Sequence, residues 1–152
     1  MIKRAIKRVK GIRPYHIALF FVLVLLDQFT KYVVRTNFVL GSSLDLKILA
    51  ITYVQNTGIS FGMFKGYNFI FLLLSVIIMG YFIYIYEENK RFGMQISITC
   101  AGITGNLIDR ITLGYVVDFI DFRFFPIFNV ADSAISIGIL WLVFLMWKEE
   151  QR

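Results

Sequence analysis

Four apolar stretches, separated by polar segments, dominate the 152-residue chain. They run from Tyr15 to about Val34, from Asn68 to Tyr86, from Phe92 to about Ile111, and from about Asp132 to Trp147. Roughly 20 helical residues cross a hydrocarbon layer of about 30 Å, so the pattern predicts four transmembrane helices. The first outer segment, about 35–67, is long for a structureless connection. Within it Leu44-Asp45-Leu46-Lys47-Ile48 alternates with period two, and Asn56-Thr57-Gly58 offers a turn. These features predict a small amphipathic sheet on the outer membrane face, within about 36–67. No internal repeat or low-complexity stretch interrupts the pattern, so residues 1–152 are expected to form a single integral membrane domain.

Composition agrees with the pattern: 58% of residues are hydrophobic, against about 45 to 50% for soluble globular chains. The lone cysteine, Cys100, excludes an internal disulfide framework, and with the lone His16 far away it leaves no material for a zinc site or a Cys-His nucleophile. No metal or cofactor is expected, Cys100 reads as a small core residue, and His16 as an interfacial one.

The net charge of +6 acquires meaning from its placement. Lys3, Arg4, Lys7, Arg8, Lys10 and Arg13 precede the first span, Lys90 and Arg91 follow the second, and Lys148 and Arg152 follow the fourth. The positive-inside rule puts both termini and the 87–91 turn in the cytoplasm. The basic head is then a topology anchor with affinity for anionic lipid, and nucleic acid is not an expected partner. A cleaved signal peptide is not expected, because Asp27-Gln28-Phe29-Thr30-Lys31 follows the first apolar run in place of a small-residue cleavage site. Tyr81, Tyr84, Tyr86 and Trp147 read as an aromatic belt at the inner boundary.

The acids divide by side. Glu87, Glu88, Glu149 and Glu150 fall in cytoplasmic flanks, whereas every Asp falls in or beyond the outer halves of the spans. Counting from the cytoplasmic ends at 1.5 Å per residue, Asp27 lies at ~18 Å, Asn106 at ~21 Å and Asp132 at ~22 Å. Polar groups at that depth cost on the order of 2.5 to 3.5 kcal/mol each, so several at one level should face each other around a wet pocket. Asp27 and Lys31, four apart, can pair, either as a structural anchor or within the site. Gly102-x-x-Gly105 allows close helix approach, and Asp109-Arg110 can form a terminal ion pair. Asp118 stands in an apolar setting on the second outer loop, about 112–130. Asp132 could be a charge at a helix N-terminus with Asn129 as its cap. Asp45 and Asp121 read as solvated loop residues, and Asn56 as a turn residue or a site residue.

The ordered set Asp27-x-x-Thr30-Lys31, Asn56-x-Gly58-x-x-Phe61, Gly102-x-x-Gly105-Asn106-x-x-Asp109-Arg110, Val117-Asp118-Phe119 and Phe128-Asn129-x-Ala131-Asp132 resembles lipoprotein signal peptidase, the bacterial signal peptidase II. The resemblance extends from Asp27 to Ile135. It departs at Ala101-Gly102, where adjacent glycines are usual, and at Ile59-Ser60, where small residues are usual.

The resemblance implies an intramembrane aspartic endopeptidase that cleaves prolipoproteins just before a diacylglyceryl-modified Cys. Its substrates and membrane lipid would be the partners, the active chain a monomer, and the location the cytoplasmic (inner) membrane with the site near the outer face. The implied fold is four spans with an extracytoplasmic β-cradle and a short extracytoplasmic helix. The implied catalytic pair is Asp118 and Asp132, and the supporting residues are Asp27, Lys31, Asn56, Asn106, Asp109, Arg110 and Asn129. Phe61, Met63 and Phe64 would help clamp the substrate from above.

Two other functions remain drawable from the residues. A Ser-Lys hydrolase would use Ser60 and Lys65 but leaves the buried acids unexplained. A proton or cation carrier would use the intramembrane Asp, Asn and Arg groups, yet nothing comparable lies near the inner face.

Overall fold

A computed structural model describes residues 13–58 and 68–151. The chain begins with helix α1, Pro14–Asn37, whose first-turn proline is preset for helix entry after an extended Arg13. Strands β1, Ser43–Asp45, and β2, Ala50–Asn56, form a hairpin. Helix α2, Asn68–Glu88, is followed by a single 3-10 turn, Lys90–Phe92, and then by helix α3, Gly93–Thr112. Strand β3, Val116–Asp121, and helix α4, Val130–Glu150, complete the order.

The architecture is mostly helical, with a three-stranded antiparallel sheet ordered β1-β2-β3. The sheet corrects two expectations. It is not confined to 36–67, because its third strand comes from the second outer segment, and Asp118 therefore sits on a strand rather than in an irregular loop. Asp121 is buried, not solvated: its carboxylate accepts from the Thr52 hydroxyl at 2.8 Å and from the Arg123 backbone N–H at 2.7 Å. The reason is the run Val116-Val117-Asp118-Phe119-Ile120, which is apolar enough to be covered on both faces and pairs with β2 from Ala50↔Asp121 to Asn56↔Val116. A register shift between Ile51 and Val54 sets Val54 opposite Asp118. Among the described residues no short helix accompanies the sheet. Residues 59–67, with Ser60, Phe61, Met63, Phe64 and Lys65, lie outside the described residues, as does the basic head up to residue 12.

Three helices, α1, α2 and α4, are long and apolar enough to cross a membrane. They expose Phe21, Leu25, Phe69, Ile77 and Leu140, the surface a lipid-facing helix presents. Helix α3 differs because it lies among the others, packed on α1, α2 and α4. Its buried residues include Gln95, Thr99, Asn106 and Asp109, polar groups that neighbouring protein rather than lipid must satisfy. Gly102 and Gly105 form the predicted close seam, and Gly138 extends it from the α4 side. A Cβ at Gly102 would collide with the Ala131 carbonyl, at Gly105 with the Asp27 carboxyl, and at Gly138 with the Thr99 hydroxyl.

Beneath the sheet, Val34, Tyr53, Val117 and Phe119 make one apolar cluster. Phe82, Phe92, Ile96, Cys100, Ile103 and Leu142 make the other, between α2, α3 and α4. Cys100 is a core residue as expected. His16, in the first turn of α1, is buried against α2, in contact with the Tyr86 hydroxyl at 3.1 Å. Gly114, in the left-handed region at φ 81°, follows α3 and turns the chain into β3.

Candidate active site

Asp118 and Asp132 reach the same groove by different routes. Asp118 projects from the middle of β3, and Asp132 from the first turn of α4. The groove, about 590 Å³, is lined by both acids together with Asn56, Arg110, Phe71 and the 125–128 segment. Further down α4 it continues past Ser136 and Ile137.

Asparagines connect the carboxyls. Asn129 caps α4: its Oδ1 accepts from the Asp132 backbone N–H at 2.9 Å, and its own backbone N–H donates to Asp132 Oδ2 at 3.2 Å. This capping box confirms the helix-terminus expectation for both residues. With its oxygen committed to the cap, Asn129 turns its amide nitrogen the other way, donating to Asp118 Oδ1 at 2.7 Å and to Asn106 Oδ1 at 3.1 Å. Asn106 Nδ2 donates to Asp132 Oδ1 at 2.7 Å, and Asn56 Nδ2 to Asp118 Oδ2 at 2.8 Å. Asn56 Oδ1 meanwhile accepts from the Gly58 N–H, so its turn and its acid contact coexist. Every oxygen of the two carboxyls thus has a donor.

Lys31 anchors a second layer. Its side chain is 3% exposed, and its ammonium lies 2.9 Å from Asp27 and 3.1 Å from Asp109 and donates to Asn106 Oδ1 at 3.0 Å. An ammonium only donates, so it fixes the Asn106 oxygen toward itself and the amide nitrogen toward Asp132. Asp27 in turn accepts from the Ala131 N–H at 2.8 Å, the residue before Asp132. Asp109 accepts from the Val117 N–H at 3.0 Å, the residue before Asp118. These acids hold the backbone beside each groove carboxyl and do not themselves line the groove. Asp109 turns to Lys31, and the expected ion pair with Arg110 does not form.

The groove residues are therefore Asn56, Arg110, Asp118 and Asp132, with Asn106 and Asn129 linking the acids behind them and Asp27, Lys31 and Asp109 behind those. Sequence reasoning missed Gln28, whose amide donates at 3.1 Å to Asp27, to Asp109 and to the Gly105 carbonyl. The signal was present: an amide in the outer half of an apolar span, next to Asp27. It also missed the 122–128 segment, where Phe122 stacks on Phe128 and Phe125 meets Phe128 edge to face.

Electrostatics separate Asp118 from an ordinary aspartate. Burial, reinforced by the Asp132 carboxyl, pushes it up to about 7, against the hydrogen bonds from Asn56 and Asn129. The arrangement can therefore keep a proton on a carboxyl near neutral pH, beside a second acid, in a cleft with apolar walls. Among the described residues no three His, Cys, Asp or Glu side chains gather in a metal-like cluster.

Comparison with known proteins gives this arrangement a family. The family model described as signal peptidase (SPase) II matches residues 19–148. The lipoprotein signal peptidase of Caldanaerobacter subterraneus subsp. tengcongensis is 43% identical over 130 residues, 82% of this chain and 90% of its own. That of Halothermothrix orenii is 36% identical over 135 residues, 86% of this chain and 93% of its own. A solved structure described as a bacterial membrane enzyme, determined by the in meso method at 2.3 Å resolution, is also similar. It superposes with a TM-score of 0.83 at 34% identity, over 90% of this chain and 89% of that one. With a family model covering most of its length and relatives aligned nearly end to end, the chain belongs to the signal peptidase II family.

Proposed function

We propose that this member of a protease family is an intramembrane aspartic endopeptidase. It removes the signal peptide of diacylglyceryl-modified prolipoproteins immediately before the lipidated Cys. The observation that carries the proposal is that two carboxyls from separate elements, Asp118 and Asp132, line one groove and are joined through Asn129 and Asn106.

Two acids so placed in a poorly solvated cleft do not both ionise easily and share one proton. Asp118 is its favoured holder. Asp132 sits in the first turn of α4, at the positive end of the helix, which suits the charged partner of the pair. Asp132 then takes a proton from a water molecule as that water attacks the scissile carbonyl, and Asp118 gives its proton to the carbonyl oxygen. Asn56 and Arg110, on the groove wall, hold the substrate backbone, whose amides need partners inside a membrane.

Four crossings fit this chemistry. Helix α3, with 20 residues, has the length to span, and its polar groups are enclosed by its neighbours. With both termini cytoplasmic in the inner membrane, the sheet and groove lie at the outer face, where a substrate with its acyl chains in the outer leaflet presents its modified Cys. The enzyme works as a monomer, since the acids of one chain complete the pair.

The test is replacement of each acid. Asp118→Asn and Asp132→Asn should each accumulate uncleaved, lipidated precursor while the protein still inserts, read as the precursor-to-mature ratio. Normal processing by either variant removes that residue from the pair.

A further inference from the structure

The described residues around Arg110 leave most of its hydrogen-bonding capacity unused. Its guanidinium has five N–H donors and no acceptor. Among the described residues its one hydrogen bond is long, 3.5 Å from Nη1 to the Asn106 carbonyl a turn back. None of the ion pairs among the described residues includes it. The guanidinium carbon stands 5.9 Å from the Phe71 ring centroid, and the side chain lines the groove that holds Asp118 and Asp132. The charged Asp132 shares this groove but makes no ion pair with the guanidinium among the described residues, so most of the donors on Arg110 remain for a second anion that enters the groove.

Peptide hydrolysis in this groove makes such an anion. The C–N bond breaks, the water oxygen stays on the carbonyl carbon, and both water hydrogens pass to the departing amine, which leaves as an ammonium. The upstream fragment is left with a new C-terminal carboxylate at the point of cleavage. A carboxylate facing two aspartyl groups alone would be repelled. A guanidinium on the same wall reverses that balance, because its planar fork matches a carboxylate in a two-bond contact.

Resting on the proposed hydrolysis, we propose that Arg110 holds the new C-terminal carboxylate of the cleaved signal peptide. The groove is then a product site for apolar peptides ending in a free acid. Phe71, Ile135 and Ile137 supply the apolar wall for the residues upstream of that carboxylate. The enzyme is thereby inhibited by its own signal-peptide product, with an acid terminus preferred over a neutral one.

The experiment uses the purified full chain cleaving a lipidated precursor. It is titrated with two synthetic peptides of one apolar signal segment that differ only in ending as a carboxylate or a carboxamide. The carboxylate should inhibit at a concentration about tenfold lower, the gain expected from a charge-assisted fork. Equal inhibition, or a stronger carboxamide, overturns the proposal. Because losing Arg110 also slows cleavage, the variants are read by displacement of a fluorescent carboxamide peptide. Arg110→Gln should abolish or invert the preference, and Arg110→Lys should keep part of it. A preference undiminished in Arg110→Gln overturns the assignment. A wild-type enzyme that cleaves normally with no preference defeats this inference alone, whereas normal cleavage by Asp118→Asn defeats the aspartyl mechanism on which it rests.

Discussion

The ammonium of Lys31 and the carboxyl of Asp118 show how differently two buried ionisable groups behave. Lys31 has Asp27, Asp109 and Asn106 within 3.1 Å, so its charge is fully met. Removing it strands two carboxylates away from water, and Lys31→Met should destabilise the fold by about 3 to 5 kcal/mol, seen as a large drop in unfolding temperature in detergent. A shift of under a degree would show that the second layer carries no such burden. Asp118 makes no ion pair among the described residues, and burial with the neighbouring Asp132 carboxyl pushes it up to about 7. Below that pH the pair keeps its shared proton; above it the proton leaves and the acid is lost. Plotted against pH, kcat/KM should therefore fall on the alkaline side with a midpoint near 7. A rate still rising at pH 9 would contradict Asp118 as the proton donor. At this scale the candidate acids were legible, because an Asp within an apolar run is too costly to keep there without a partner or a task. The partners of Lys31 were only half legible, because spacing along one helix shows Asp27 but cannot show Asp109 from another.

A helix terminus can be tuned independently of the groove, and α4 is where the two functions of one residue separate. Asn129 both caps the helix and donates to Asp118. Serine caps nearly as well but is too short to reach Asp118 and Asn106, so Asn129→Ser should keep the cap, lose about 1 to 3 kcal/mol with those buried hydrogen bonds, and lower cleavage at least about tenfold. Asn129→Ala should lose about 1 kcal/mol more. Chemical unfolding and precursor cleavage measured together distinguish the two, and an active Asn129→Ser enzyme would reduce Asn129 to a cap. The four helices were readable from apolar run length to within a few residues: α1 extends to Asn37 and α4 starts at Val130, two residues before Asp132. Strand β3 was not readable, because a six-residue apolar run looks alike in a buried strand and in an apolar loop until β2 is seen beside it.

For the molecule as a whole, orientation in the membrane decides whether the groove can meet a lipid-anchored substrate. In a Cys100→Ser background, Arg123→Cys in the exposed segment after β3 should react with an impermeant maleimide added to intact cells. Lys148→Cys, near the far end of α4, should react only after permeabilisation. Equal reaction of both from outside would contradict the proposed topology. The amino-acid sequence alone determined the apolar stretches, their basic flanks and the common level along the helices at which Asp27, Asn106 and Asp132 gather, since each depends only on hydrophobicity, charge and rise per residue. Tertiary structure decided which of those polar groups face the groove and which stand behind it. It brought Asp118 on β3 beside Asp132 on α4, turned Asp109 from Arg110 to Lys31, and left the Arg110 fork largely unpaired among the described residues. Those outcomes depend on how helices and strands distant in the chain pack, and on the fixed direction of each amide between a donor and an acceptor, neither of which a linear order of residues contains.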